Sequence, residues 1–85
     1  MSTTYDITLK TEVLLEFVAE LMADCHNAMD KNNITLDDIK NPIVIIDSQV
    51  NSMKDDILLS KSMNELFVYE GKLRQCRDLL REMEH

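Results

Sequence analysis

The sequence predicts an all-α protein, and the first two of the following observations carry this prediction. The 85 residues include one glycine, one proline and no tryptophan, so the breakers that turn-rich β folds need are almost missing. Apolar residues recur at three- and four-residue spacing in three successive segments, which is the period of an amphipathic helix. Hydrophobic residues make up 45% of the chain, as in ordinary folded domains. We therefore expect a three-helix bundle, or a helical hairpin with a long carboxy-terminal helix that can bend.

The length of the chain predicts one helical domain that spans residues 1–85. A core of this size gives only marginal stability unless the helices are well packed, staples are present or the chain oligomerises. The sequence therefore favours a homodimer with coiled-coil-like contacts.

The first helix is predicted over about residues 9–29. Thr8 or Thr11 is the expected amino-terminal cap, because a threonine hydroxyl can accept a hydrogen bond from a free backbone N–H. The segment from Ser2 to Ile7 alternates weakly between apolar and polar residues and is expected to form an extended arm. The apolar face of the helix is broad enough to contact two neighbouring helices, and its central seam consists of Leu14, Val18, Leu21, Cys25 and Ala28.

Polar residues 30–33 end this helix, and residues 35–40 are predicted to form a single helical turn. Asn41 and Pro42 predict the start of the second helix, over about residues 42–59. Asparagine is a preferred cap, and proline loses nothing at the first helical position because that N–H has no partner in the helix. The seam of this helix follows a heptad pattern and consists of Ile43, Ile46, Val50, Met53 and Ile57.

The second seam loses its phase near Ser60, and a third helix is predicted over about residues 62–84. Ser62 and Glu65 have the S-x-x-E spacing of a capping box. The alternative is one continuous helix of about 40 residues, roughly 60 Å long, which would outrun the first helix and need a second copy to cover it. The seam and the cap change at the same place, which favours a break. The third seam consists of Leu66, Tyr69, Leu73, Cys76, Leu80 and Met83.

The formal net charge of −7 is unevenly distributed and bounds the possible partners. Residues 1–59 carry four lysines against eleven acids, whereas residues 60–85 carry five basic and five acidic residues. Because phosphate contacts need clustered lysine and arginine, direct nucleic-acid binding is not expected.

The longest strictly apolar run has four residues, which is too short for a membrane span. No signal-peptide pattern opens the chain, so we expect a cytoplasmic protein.

Residues that could carry chemistry are scarce. Cys25 and Cys76 occupy apolar helical positions, which suits buried thiols in a reducing compartment. His26 follows Cys25 directly, but consecutive helical residues diverge, so the pair predicts no zinc site. The polar segment that begins at Asp30 has Thr35 where a calcium loop needs glycine, and the chain has no glycine-rich phosphate loop. We predict no catalytic residue, no cofactor and no metal, and hence a protein that is not an enzyme.

The most informative feature is a row of acids along the first helix, opposite its seam. Like charges four residues apart cost a helix roughly 0.2 to 0.5 kcal/mol per pair, so such a row favours a cationic neighbour. We call this row the acidic ridge, and it consists of Glu12, Glu16, Glu20 and Asp24. Alternatively, the acids only keep a small protein in solution.

The chain has one comparable basic row, which we call the arginine stripe: Arg74, Arg77 and Arg81. These arginines can pair along their own helix with Glu70 and Asp78, or they can face the ridge from the same subunit or from a second one. An anion-binding catalytic site on the stripe is disfavoured because acids are interleaved with the arginines. The ridge and the stripe are therefore candidate partner-binding or intersubunit surfaces, and we favour internal or intersubunit pairing.

The function that remains is protein binding. We expect a small acidic adaptor, chaperone or inhibitor, including a phage- or plasmid-type regulator of a host factor, that acts through helix-mediated contacts with a protein partner. The alternative is a nucleic-acid mimic, whose acidic ridge fills the basic groove of a nucleic-acid-binding protein.

Overall fold

A computed structural model describes residues 3–84 of the chain and contains three α-helices. They are α1 (Thr4–Lys31), α2 (Pro42–Leu59) and α3 (Met63–Met83). Each helix contacts both of the others, and together they enclose a hydrophobic core. No strand occurs among the described residues, so the predicted all-α three-helix bundle is confirmed. None of the helices in this part of the chain has the length and hydropathy needed to cross a membrane.

The start of α1 lies well before the predicted start near residue 9. Thr3 is the cap: its hydroxyl accepts a hydrogen bond from Asp6 N at 3.1 Å, while the Asp6 carboxylate accepts one from Thr3 N at 3.2 Å. This reciprocal arrangement satisfies two free backbone donors and is a capping box with aspartate in place of glutamate. The local T-x-x-D pattern of Thr3 and Asp6 therefore predicts the observed start of α1, and it was not recognised as a capping signal.

The predicted caps Thr8 and Thr11 are wrong. Both residues lie inside α1, and their hydroxyls donate to backbone carbonyls four residues earlier, as helix-interior threonines commonly do. The predicted extended arm is also wrong over residues 4–7, which are helical. The first residue of that predicted arm, Ser2, lies outside the described residues.

The single helical turn predicted over residues 35–40 is also wrong. The segment between α1 and α2 contains two successive tight turns instead, with Asp38 N donating to Thr35 O at 3.0 Å and Asn41 N donating to Asp38 O at 2.9 Å. The Asp38 carboxylate accepts from Thr35 N at 2.8 Å. The turn cannot continue as a helix into α2, because Asn41 directly precedes Pro42 and its backbone is extended, with φ and ψ of −72° and 130°.

The start of α2 agrees with the predicted signal. Asn41 is the cap, with its Oδ1 accepting from Ile43 N at 2.9 Å, and Pro42 occupies the first helical position. The helix ends at Ser60, whose φ and ψ of −67° and 135° are extended. The predicted break is therefore confirmed, and the continuous-helix alternative is wrong.

The cap of α3 is partly as predicted. Ser62 Oγ accepts from Glu65 N at 3.2 Å. The return bond of the capping box is displaced by one residue, because the Glu65 carboxylate accepts from Lys61 N at 3.2 Å instead of from Ser62 N. Two backbone donors at the start of the helix are satisfied all the same.

The predicted seams form the core. All seam residues of α1 and α2 are buried, as are Leu66, Leu73, Cys76 and Leu80 of α3. Tyr69 is half-buried, and Met83, at the end of the helix, is exposed. Val44 lies off the α2 seam and is nevertheless buried, which the helical period alone did not predict.

Candidate protein-binding surface

The acidic ridge lies on the solvent side of α1. All four of its residues are exposed. Within residues 3–84, no basic nitrogen lies within 4.0 Å of a ridge carboxylate, so no ion pair to the arginine stripe forms inside this subunit. The ridge carboxylates are therefore exposed and free of direct ion pairs within this part of the chain.

An apolar row runs beside the ridge on the same helix. Three large side chains four residues apart, Tyr5, Leu9 and Val13, are exposed. Residues at this spacing lie above one another on a helix, so they form a continuous row adjacent to the first ridge residues. This row was not predicted, because Tyr5 was expected to lie in an extended arm and not in the helix. Exposed apolar side chains in a group mark an interaction surface more often than isolated ones do.

A groove of about 320 Å³ between α1 and α3 brings part of the ridge and part of the stripe together. Glu16, Glu20 and Asp24 line it on the α1 side, and Arg77 and Arg81 line it on the α3 side. Glu12 and Arg74 lie outside this groove. The surface thus carries acids and guanidinium groups on opposite walls without direct contact between them.

Arg77 is positioned by an aromatic ring. Its guanidinium carbon lies 5.4 Å from the centroid of Phe17, within the range of a cation–π contact. Its Nε lies 3.6 Å from Asp78, which is too long for a hydrogen bond, and that buried nitrogen has no hydrogen-bond partner within residues 3–84. Packing against Phe17 thus holds the guanidinium of Arg77 beside the groove, and Asp78 compensates its charge only weakly.

Arg74, at the other end of the stripe, lies close to Glu70 of its own helix, which is one of the two pairings that the sequence allowed. Arg74 lies 3.8 Å from Glu70, one turn earlier on α3. The stronger partner of Glu70 was not predicted: Lys10 Nζ lies 2.6 Å from its carboxylate and 5.3 Å from the Phe67 ring. Lys10 and Glu70 are both largely buried, and their contact links α1 to α3.

The cysteines are placed as core residues, not as reactive groups. Cys25 and Cys76 are both buried and free. Burial, followed by the negative charge of Asp47, raises the pKa of the Cys25 thiol to about 12. Burial also raises the pKa of Cys76. A thiol with a raised pKa is a poor nucleophile at neutral pH. No group of three potential metal ligands occurs among residues 3–84.

A family model described as "Bacterial epsilon antitoxin" matches residues 3–83 of this chain. Searches of curated proteins and of solved structures found no match. The family is not an enzyme family, which is consistent with the predicted lack of catalysis. Because the match spans nearly the whole chain, the protein belongs to the bacterial epsilon antitoxin family, and its role is that of a protein-binding inhibitor in a toxin–antitoxin pair.

Proposed function

We propose that this antitoxin inhibits its toxin by binding it through the exposed face of α1, formed by the acidic ridge and the apolar row. The observation that carries the proposal is the coincidence of the two features on one face: carboxylates without direct ion pairs beside three exposed large apolar side chains. Apolar contact supplies buried area at an interface, and complementary charge supplies specificity and a fast encounter. Neither feature is required by the core of the bundle.

The groove between α1 and α3 extends this face. A toxin segment that enters it meets the carboxylates of Glu16, Glu20 and Asp24 on one side and the guanidinium groups of Arg77 and Arg81 on the other. Such a lining favours a segment with both charge signs and penalises a segment with only one, because like charges at an interface repel. The arginines therefore contribute selectivity in this proposal.

The proposal predicts that the double variant Glu16→Lys, Glu20→Lys binds the toxin much more weakly. We expect a Kd raised by roughly tenfold to a hundredfold at low salt, and by less at high salt, because exposed charge pairs are screened. The free energy of unfolding should stay within about 1 kcal/mol of wild type, as surface substitutions usually do. Titration calorimetry at two salt concentrations and denaturant unfolding measure both quantities.

A matched control is Asp55→Lys, Asp56→Lys, which makes the same change in net charge at exposed positions of α2. If binding depends on the ridge and not on net charge, this control should retain the wild-type Kd. The proposal is wrong if the ridge variant folds normally and binds the toxin with unchanged affinity and salt dependence.

We also propose that the free antitoxin is a homodimer. The small size of the domain and the exposed apolar residues outside the α1 face, Leu58, Leu59, Val68 and Leu79, support this proposal. Light scattering at micromolar concentration should then give about twice the chain mass of 9.9 kDa. A mass equal to that of one chain over the same range would contradict it.

A further inference from the structure

A second groove lies on the side of the bundle formed by α2 and the segment that precedes it. It encloses about 420 Å³. Its apolar lining includes Leu36 and Ile39 from the segment between α1 and α2, together with Ile45 from α2. The polar lining includes Asp47 and Gln49. None of these residues belongs to the acidic ridge, the apolar row or the arginine stripe.

The apolar side chains at the rim of this groove are exposed, although the backbone of their segment is held by hydrogen bonds. Leu36 is 63% exposed and Ile39 is 74% exposed, although the tight turns around them are closed by backbone bonds of 3.0 and 2.9 Å. Val44 is buried within the core cluster and also lines the groove. The segment therefore presents Leu36 and Ile39 outward on a defined backbone, as loops that bind partners commonly do.

The groove also contains a buried carboxylate without a full complement of partners. Asp47 is 6% exposed, and its Oδ1 is buried without a hydrogen-bond partner among the described residues. His26 Nε2 lies 3.0 Å from this oxygen without forming a hydrogen bond; the half-exposed imidazole pairs with Asp47 as an ion pair only when it is protonated. No lysine or arginine within residues 3–84 lies within 4.0 Å of Asp47. A buried carboxylate in this state favours the approach of a cation.

We propose that this groove is a second contact with the toxin and binds an arginine or lysine side chain flanked by aliphatic residues. The long methylene stem of such a side chain fits between Leu36, Ile39 and Ile45, while its cation reaches Asp47. The net charge of −7 makes a cationic segment the complementary occupant. The toxin is the occupant named here because the family of this chain implies a protein toxin as its partner, so the inference rests on the proposed function.

The decisive experiment measures the Kd for purified cognate toxin with Ile39→Ser and, separately, with Asp47→Asn. Each variant should raise the Kd by roughly tenfold, the effect of removing an anchor or its charge partner at an interface. The control is Met83→Ser, which removes an exposed apolar side chain at the end of α3, outside the groove, and should leave the Kd within about twofold. Ile39 is exposed, so Ile39→Ser keeps the test decisive even if loss of the Asp47 charge impairs folding.

The outcomes separate this inference from the proposed function. A wild-type Kd for Ile39→Ser, combined with weak binding by Glu16→Lys, Glu20→Lys, overturns the groove contact and leaves the α1 face standing. Weak binding by Ile39→Ser combined with a wild-type Kd for the ridge variant supports the groove and overturns the α1 face. If Ile39→Ser keeps the wild-type Kd but halves the mass in light scattering, the occupant is a second copy and the inference is overturned.

A peptide probe tests the chemistry of the occupant directly. N-acetyl-Leu-Arg-Leu-amide should shift the backbone amide resonances of Ile39 and Asn51, which line the groove, in nuclear magnetic resonance spectra. N-acetyl-Leu-Gln-Leu-amide keeps the aliphatic residues without the charge and should give much smaller shifts. Equal shifts with both peptides, or shifts confined to the acidic ridge, would overturn the assignment of a cation to this groove.

Discussion

The variant Leu73→Asp should be unfolded or nearly so at room temperature. Leu73 is fully buried in the middle of α3, so a new carboxylate at this position would be removed from water. An unpaired buried charge costs several kcal/mol, and the variant also loses the apolar contacts of leucine, so we expect a loss of about 4 kcal/mol or more. A small domain whose free energy of unfolding is about 5 kcal/mol does not stay folded after this loss. Thermal unfolding followed by far-ultraviolet circular dichroism measures the effect.

The matched control is Leu79→Asp on the same helix. Leu79 is 50% exposed, so the same substitution there should cost no more than about 1 kcal/mol. Leu80 is buried like Leu73, and Leu80→Asp should behave like the core variant. Because both leucines belong to the core of one subunit, these variants test folding, and any dissociation of a dimer would follow from unfolding. A wild-type melting temperature for Leu73→Asp would show that the described packing is wrong.

The native Cys25 thiol should react at least about a thousand times more slowly with a thiol reagent than the same thiol in denaturant. Its side chain is fully buried, and its pKa is raised from 9.0 to about 12, so the fraction of reactive thiolate at neutral pH falls by roughly three orders of magnitude. The variant Cys76→Ala isolates this thiol for the measurement. Rapid reaction of Cys25 in the folded protein would require a redox or catalytic role to be considered again.

The same raised pKa predicts a loss of stability in alkaline solution. Below pH 9 the thiol is protonated in both the folded and the unfolded states, so its contribution does not change with pH. Above pH 9 the unfolded thiol ionises while the folded thiol remains protonated up to about pH 12, so the unfolded state is favoured progressively. The expected slope from this group is about 1.4 kcal/mol per pH unit, and Cys25→Ala should reduce it. Denaturant unfolding at a series of pH values above 9 measures the slope with and without the thiol.

Local signals in the sequence were sufficient for most of the fold. The seam of α2 and its cap at Asn41 and Pro42 depend on the spacing of neighbouring residues along one helix, and the structure agrees with both. The break near Ser60 could be predicted for the same reason, since the seam and the cap change together there. The start of α1 was missed although the Thr3 and Asp6 pair is also local. The start of α1 at Thr4 could therefore have been predicted from the sequence alone.

The candidate site was only partly predictable. The acidic ridge follows from a four-residue repeat on one helix, and its exposure follows from the position of the seam on the opposite side. The place of Tyr5 in this row could be seen only once the helix was known to begin at Thr4, whereas Leu9 and Val13 already lay in the predicted helix. The sequence predicted a protein partner, and only the family match identified that partner as a toxin.

The sequence by itself therefore determined the helical class, the core seams and the charged face of α1, because each depends on the fixed rise and turn of one helix. Tertiary structure alone decided the contacts between elements. The stacking of Arg77 on Phe17, the pairing of Lys10 with Glu70 and the approach of His26 to Asp47 all join residues on different helices. Helical spacing says which side of a helix a residue occupies, but not how two helices cross or which side chains then meet.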